Sequence, residues 1–235
     1  MASQSIPLIL LPGLANDERV WRPVTSRLGA HADARFVALR GSQTMSGLAA
    51  EVLAGAPPRF AVAGLSMGGY CTLEMVRQAP ERVAALALVG TSARPDTPEA
   101  RTQREKQIER AGHEYPALVG ELLGRWVHPT RIHDADVGQV ARDMALQSGP
   151  AIFVQQQRAI LSRADSRPML ASIRCPAIVI AGDDDAIMPP EIPRELADGI
   201  PGARLVMLAG CGHLAPLERP AEVADALADL LVRAA

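Results

Sequence analysis

The sequence predicts an α/β protein: a doubly wound, mostly parallel sheet of about six strands, with an inserted helical cap. Three observations predict it. Short apolar runs recur, nearly unbroken, at residues 6–11, 34–39, 60–63, 83–89, 177–181 and 204–209, each followed by glycine or a polar turn. Unbroken runs suit strands buried on both faces, whereas half-exposed strands alternate. Between them lie segments of helical length at residues 17–28, 46–54, 67–79, 190–199 and 221–233. In the last, Val223, Leu227 and Leu230 fall four and three apart, on one helical face. Strand–helix alternation with right-handed crossovers then gives the doubly wound sheet.

Each element can be placed against size and composition. A chain of 235 residues fits one domain and buries about 70% of the surface its unfolded form exposes. Hydrophobic residues make up 48% of the chain but aromatics only 3%, so the core is built from Ala, Val, Leu and Ile. The formal net charge of −2 carries no basic footprint for nucleic acid or anionic lipid. Only Lys106 among the 24 basic residues is a lysine, a bias read as genome base composition. Cys71, Cys175 and Cys211 are far apart and lack metal-ligand spacing. An odd number rules out a complete intramolecular disulfide framework and points to a reducing, cytoplasmic compartment. The opening MASQSIPLILLPG has no basic n-region, and its apolar run stops at Pro12-Gly13. It reads as a first strand, not as a signal peptide or membrane span.

The rhythm breaks at residues 94–166, which hold no clean strand run and much of the polar content. This stretch is expected to be a helical cap over a core formed by residues 1–93 and 167–235. Ligands in open α/β sheets bind at the carboxyl ends of the strands. The cap's apolar Trp126 and Phe153 are candidates for the wall of a substrate pocket there, with core packing as the competing reading.

The sharpest local signal is Gly64-Leu65-Ser66-Met67-Gly68-Gly69, directly after an apolar run and opening a helical segment. In a nucleophile elbow the serine occupies a strained strand-to-helix turn, and strand and helix crowd where Gly64 and Gly68 stand. A serine hydroxyl needs a neighbouring base. Of His31, His113, His128, His133 and His213, only His213 directly follows a strand run, in Ala209-Gly210-Cys211-Gly212-His213. Its paired glycines suggest a flexible turn that swings the imidazole over the sheet edge. Asp183-Asp184-Asp185, after another strand end, offer the carboxylate that orients the base. The order serine, acid, histidine is the one expected for this fold. An oxyanion hole needs two backbone N–H groups. Met67, after the nucleophile, supplies one candidate and Leu14, in the loop after the first strand, the other. Arg40, Arg163 and Arg167 are candidates for binding a substrate carboxylate, and Cys211 reads as a small buried filler.

With LLPGL, GLSMGG, AGDDDAIMP and GCGHLAPLERP in hand, the chain resembles the α/β-hydrolase superfamily along essentially its whole length. It is most similar to the small capped esterases, enol-lactonases and methyl-esterases. The last two segments fit the family patterns G-x-x-D-x-x-x-P and G-x-G-H with a downstream E-x-P. The resemblance places nucleophile, acid and base on Ser66, Asp185 and His213, and the oxyanion donors on the N–H groups of Leu14 and Met67. Many relatives have histidine where this chain has Pro12. The chain also begins at what resembles the family's third strand. Serine at the elbow, not aspartate, argues against dehalogenase and epoxide-hydrolase relatives.

The expected activity is hydrolysis of a carboxylic ester or lactone through an acyl-enzyme, acting on a small molecule without cofactor, metal, nucleic acid or membrane partner. The alternatives are thioester, carbon–carbon or lyase chemistry on the same residues, and a small-molecule receptor with little turnover.

Overall fold

A computed structural model describes residues 6–29 and 32–234, so His31 lies outside the described residues. Six strands form one sheet: β1 (Leu8–Leu11), β2 (Ala34–Phe36), β3 (Phe60–Leu65), β4 (Val83–Val89), β5 (Ala177–Gly182) and β6 (Arg204–Leu208). Their order is β2-β1-β3-β4-β5-β6, and every neighbouring pair is parallel. The helices are α1 (Arg22–Leu28), α2 (Met45–Gly55), α3 (Met67–Gln78), α4 (Pro98–Ala111), α5 (Tyr115–Trp126), α6 (Val140–Leu161), α7 (Arg167–Leu170), α8 (Glu191–Gly199), α9 (Ala215–Glu218) and α10 (Pro220–Ala234).

Successive strand residues point to opposite faces, and the core divides accordingly. Leu8, Leu10, Ala61, Ala63, Ala85, Ala87, Ile178 and Ile180 pack with Val24 and Leu28 of α1 and with Val223, Leu227 and Leu230 of α10. Ile9, Leu11, Val62, Leu86, Leu88 and Val179 pack with Leu48 and Val52 of α2, Leu73 of α3 and Leu196 of α8. Both faces are covered, which is why β3, β4 and β5 are apolar without alternation. The edges differ. The apolar run at residues 34–39 makes only three residues of ladder, and Arg35 and Arg204 reach solvent because β2 and β6 have a neighbour on one side only.

Between β4 and β5 the chain forms α4 to α7 and no strand. Thr97 caps α4 by accepting a hydrogen bond from the Ala100 N–H (3.2 Å). The helix α6 breaks at Gly149 (φ 77°, ψ 168°), where Pro150 has no N–H to continue the ladder. The chain leaves β1 through α1 to β2, then returns through α2 to β3 on the other side of β1. The connections therefore diverge at the carboxyl ends of β1 and β3, the switch point where open α/β sheets bind ligands.

Candidate active site

Ser66 ends β3 and opens α3 with φ 51° and ψ −109°, a conformation that L residues rarely adopt. Its surroundings hold it there. The Ser66 N–H donates to the Val89 carbonyl (2.8 Å), and the Ser66 carbonyl accepts from the Gly69 N–H (2.9 Å) and Thr91 Oγ1 (2.8 Å). The glycines around it leave no room for side chains. A Cβ on Gly64 would lie 2.3 Å from the Gly68 carbonyl oxygen, and one on Gly68 would lie 2.6 Å from that of Leu11.

Asp185 follows β5 in the loop to α8. One carboxylate oxygen accepts from the Ile187 N–H (2.7 Å) and the Met188 N–H (3.0 Å), and the other meets His213 Nδ1 at 2.8 Å. Both residues are buried. Burial pushes the Asp185 carboxyl up, but the His213 imidazole and the two N–H donors outweigh it and hold the group below its ordinary range. Among the described residues His213 Nε2 has no partner. Asp184 instead meets His128 Nε2 at 3.2 Å, and Asp183 lies 3.5 Å from the Cys211 N–H. Of the three acids, Asp185 is the one in contact with His213.

The turn carrying His213 is tightly held, which corrects the flexible turn read from its glycines. A Cβ on Gly212 would lie 2.5 Å from the His128 nitrogen, and Gly210 adopts φ 57°. Close approach and a left-handed turn, not mobility, require these glycines. Buried Glu218 ties the turn together: it accepts from the N–H groups of Gly212 (3.0 Å), Leu214 (3.2 Å) and His128 (3.1 Å). Glu218 is the acid of the downstream E-x-P segment, so its signal was in the sequence without its role. Cys211 is fully buried beside it, and burial pushes its thiol well up, away from the thiolate form.

Ser66 and His213 line one cavity of about 340 Å³ with Gly13, Leu14, Trp126 and Met188. The N–H groups of Leu14 and Met67 make no hydrogen bond among the described residues. Trp126 lines the cavity, and its carbonyl also accepts from the Leu214 N–H (3.1 Å). Phe153 does not line it: fully buried, it meets the Tyr115 ring edge-on at 5.4 Å, so it packs between helices. Arg163 lines the cavity, whereas Arg40 and Arg167 do not. Asp96 bridges Arg163 and Arg104 at 2.8 Å each, and the Arg163 guanidinium lies 4.3 Å over the Tyr70 ring. Burial raises the Asp96 carboxyl, but these two arginines more than offset it and hold the group low. His113, His128 and His133 do not line the cavity.

Sequence reasoning passed over three further residues. Gln107 lines the cavity and accepts from Gln157 Nε2 (2.7 Å). Gln156 of α6 accepts from the Ala15 N–H (2.8 Å). Asn16 is 3% exposed, and its amide has no partner among the described residues. A Cβ on Gly13 would lie 2.8 Å from Asn16 Oδ1, so Asn16 occupies the space that glycine leaves. A partnerless buried amide beside the loop after β1 has no motif to announce it.

Among the described residues no group of three His, Cys, Asp or Glu side chains could hold a metal ion. Nor is any helix among them long and apolar enough to cross a membrane.

Comparison with known proteins agrees with this architecture. The chain is 30% identical over 249 aligned positions to the pimeloyl-[acyl-carrier protein] methyl ester esterase of Aromatoleum aromaticum, covering 95% of this chain and 97% of that protein. Among solved structures, a thermophilic esterase from Thermogutta terrifontis, in a malate-bound study, superposes with TM-score 0.89 at 28% identity, covering 97% of this chain and 90% of that one. The enol-lactonase from Burkholderia xenovorans LB400 gives TM-score 0.85 at 28% identity, with 99% and 94% covered. The model of the alpha/beta hydrolase family matches residues 8–226. With the parallel sheet, the serine turn at its switch point and this match over nearly the whole length, the chain belongs to the alpha/beta hydrolase family.

Proposed function

We propose that the protein hydrolyses a carboxylic ester or lactone through an acyl-enzyme, with Ser66 as nucleophile, His213 as general base and Asp185 as the residue that orients it. One observation carries the reading: buried His213 gives Nδ1 to Asp185, keeps Nε2 unpartnered, and shares a cavity with the strained Ser66. In this reading Ser66 Oγ attacks the substrate carbonyl carbon and its proton passes to His213 Nε2. The unpartnered N–H groups of Leu14 and Met67 receive the developing oxyanion. The His213 proton then goes to the leaving alkoxide. Water, losing a proton to the same nitrogen, then attacks the acyl carbon; the acyl carbon–Oγ bond breaks, His213 returns the proton to Ser66 Oγ, and the carboxylic acid leaves. Asp185 selects the tautomer with Nδ1 protonated and stabilises the imidazolium.

Residues 94–166 act in this reading as a cap, since Trp126 of α5 and Arg104 of α4 both line the cavity. Arg94, Arg104, Gln107 and Arg163 add polar groups to a wall that is mostly apolar, the combination that suits a small-molecule site. The esterase and enol-lactonase likenesses support ester or lactone chemistry without choosing between them. The test is covalent. A fluorophosphonate probe should add once, at Ser66, and Ser66→Ala should keep its melting temperature while losing both labelling and turnover of 4-nitrophenyl acetate. Labelling at another serine, or an active Ser66→Ala, defeats the proposal.

A further inference from the structure

The loop that carries Leu14 is not held by the sheet alone. Ala15 adopts φ 56°, a left-handed conformation, although it is not glycine. Alanine has no intrinsic preference for that region, so the conformation persists only where tertiary contacts impose it. The contacts come from α6. The Ala15 N–H donates to Gln156 Oε1 at 2.8 Å, and Ser148 Oγ lies 3.4 Å from the Ala15 carbonyl. Gln156 is 1% exposed, and its Nε2 donates to the Leu39 carbonyl at 3.0 Å. One buried amide thus joins the loop after β1, the segment after β2 and a helix inserted between β4 and β5. Both halves of the amide are used, so its orientation is determined at each end.

Its neighbours make the arrangement rigid. Three successive helical residues project about 100° apart, and here each is bound to a different part of the molecule. Gln155 donates to the Ser42 carbonyl, while Gln157 donates to Gln107 (2.7 Å) and accepts from Arg104 (2.8 Å). The helix cannot turn or slide without breaking all three sets.

We infer that Gln156 is a positioning residue for the oxyanion donor: it locks the Leu14–Ala15 peptide plane and so aims the Leu14 N–H at the reacting carbonyl. The inference rests on the Ser66 acyl-enzyme reading given above. The peptide between Leu14 and Ala15 is planar, so bonding the Ala15 N–H to Gln156 fixes that plane and with it Leu14 Cα, the atom it shares with the Gly13–Leu14 peptide that carries the Leu14 N–H. Without that bond Ala15 relaxes toward ordinary backbone angles and the Leu14 N–H turns away. A misplaced donor weakens the transition state and leaves ground-state binding nearly alone.

Three variants separate this role from simple packing. Gln156→Met fills the space but makes neither bond, and Gln156→Asn stays polar but falls short by one methylene. Gln156→Glu, which burial keeps protonated, offers the same acceptor and donor. Each is assayed with 4-nitrophenyl acetate and with two inhibitors of the same carbon skeleton, a short alkyl trifluoromethyl ketone and its methyl ketone. The fluorinated ketone forms a hemiketal oxyanion with the serine, whereas the methyl ketone reports ground-state binding. Loss of one oxyanion donor costs about 10²–10³ in turnover, so misplacement should lower kcat about 10- to 100-fold in Met and Asn. KM and the methyl ketone Ki should stay within about threefold, and the trifluoromethyl ketone Ki should rise with the kcat loss. Gln156→Glu should keep kcat within about threefold. If Met fails to fold, Asn decides. A folded Met or Asn variant with near-normal kcat overturns the inference, as does equal weakening of both ketones. Failure of the parent reading looks different: an active Ser66→Ala, or a wild type that the fluorophosphonate does not label at Ser66.

Discussion

Three adjacent aspartates follow Gly182, and their side chains meet three different partners. Asp185 contacts His213, Asp184 contacts His128, and Asp183 approaches the Cys211 N–H. Composition cannot distinguish them, but the family pattern can: its counts of three residues on from Gly182 and four back from Pro189 both land on Asp185. Replacing an orienting carboxylate by asparagine keeps its shape but favours the wrong imidazole tautomer, a loss of roughly 10⁴ in the serine-protease triad. Asp185→Asn should therefore lose orders of magnitude in kcat, and Asp183→Asn and Asp184→Asn about tenfold or less. Three purified variants and one ester assay read the outcome; a dead Asp183→Asn or Asp184→Asn would move the acid. Gly64 and Gly68 were legible for a similar reason. The crowding they relieve lies between residues four apart, 2.3 Å from a would-be Cβ.

At the scale of elements, the segment from β6 to α9 shows what a motif does and does not say. The glycines before His213 marked the turn. Its stiffness comes from Glu218, which gathers three N–H groups on one buried carboxylate. One of them, from His128, belongs to the stretch after α5, so Glu218 also joins the inserted helices to the histidine turn. An amide has only one oxygen, and its NH₂ would face a donor. Hydrogen bonds to charged groups contribute about 1.5–3 kcal/mol each. Losing one should lower the melting temperature on the order of 5 °C for a chain of this size. Glu218→Gln should show that shift in a thermal melt, together with a lower kcat as His213 loosens. An unchanged melt would mean that the carboxylate does not hold the turn. Edge strands show the opposite limit. The runs at β2 and β6 read as fully buried strands, yet their exposure depends on a missing neighbour, which no local pattern records.

For the molecule as a whole, acid should be the weak point. Asp185 is buried and the Asp96 side chain is only 4% exposed, and both are held below the ordinary carboxylate range, Asp96 by two arginines and Asp185 by His213 with backbone donors. A carboxyl whose folded value is depressed contributes its full stability above the unfolded value, about 3.9 for aspartate. That contribution is lost as pH falls through the folded value. Melting temperature should therefore be insensitive to these groups between pH 5 and 7 and fall steeply below about 4. Asp96→Asn should start lower at neutral pH and fall less on acidification. A variant with the wild-type pH dependence would show that the bridge between Arg104 and Arg163 contributes little.

The layered architecture, the run of strands and helices, and the residue types at the serine, acid and histidine turns were legible along the chain. These follow from short-range physics: strand and helix periodicity, and steric demands between residues a few positions apart. The packed fold was needed to see that Trp126 lines the cavity while Phe153 packs against Tyr115. It alone showed an amide 141 residues away holding Ala15, and Asn16 buried without a partner. Nothing near Phe153 or Gln156 in the chain marks either role, because a helical residue's neighbour is set by which distant segment packs there. Periodicity names the face of a helix, and the fold names what that face meets.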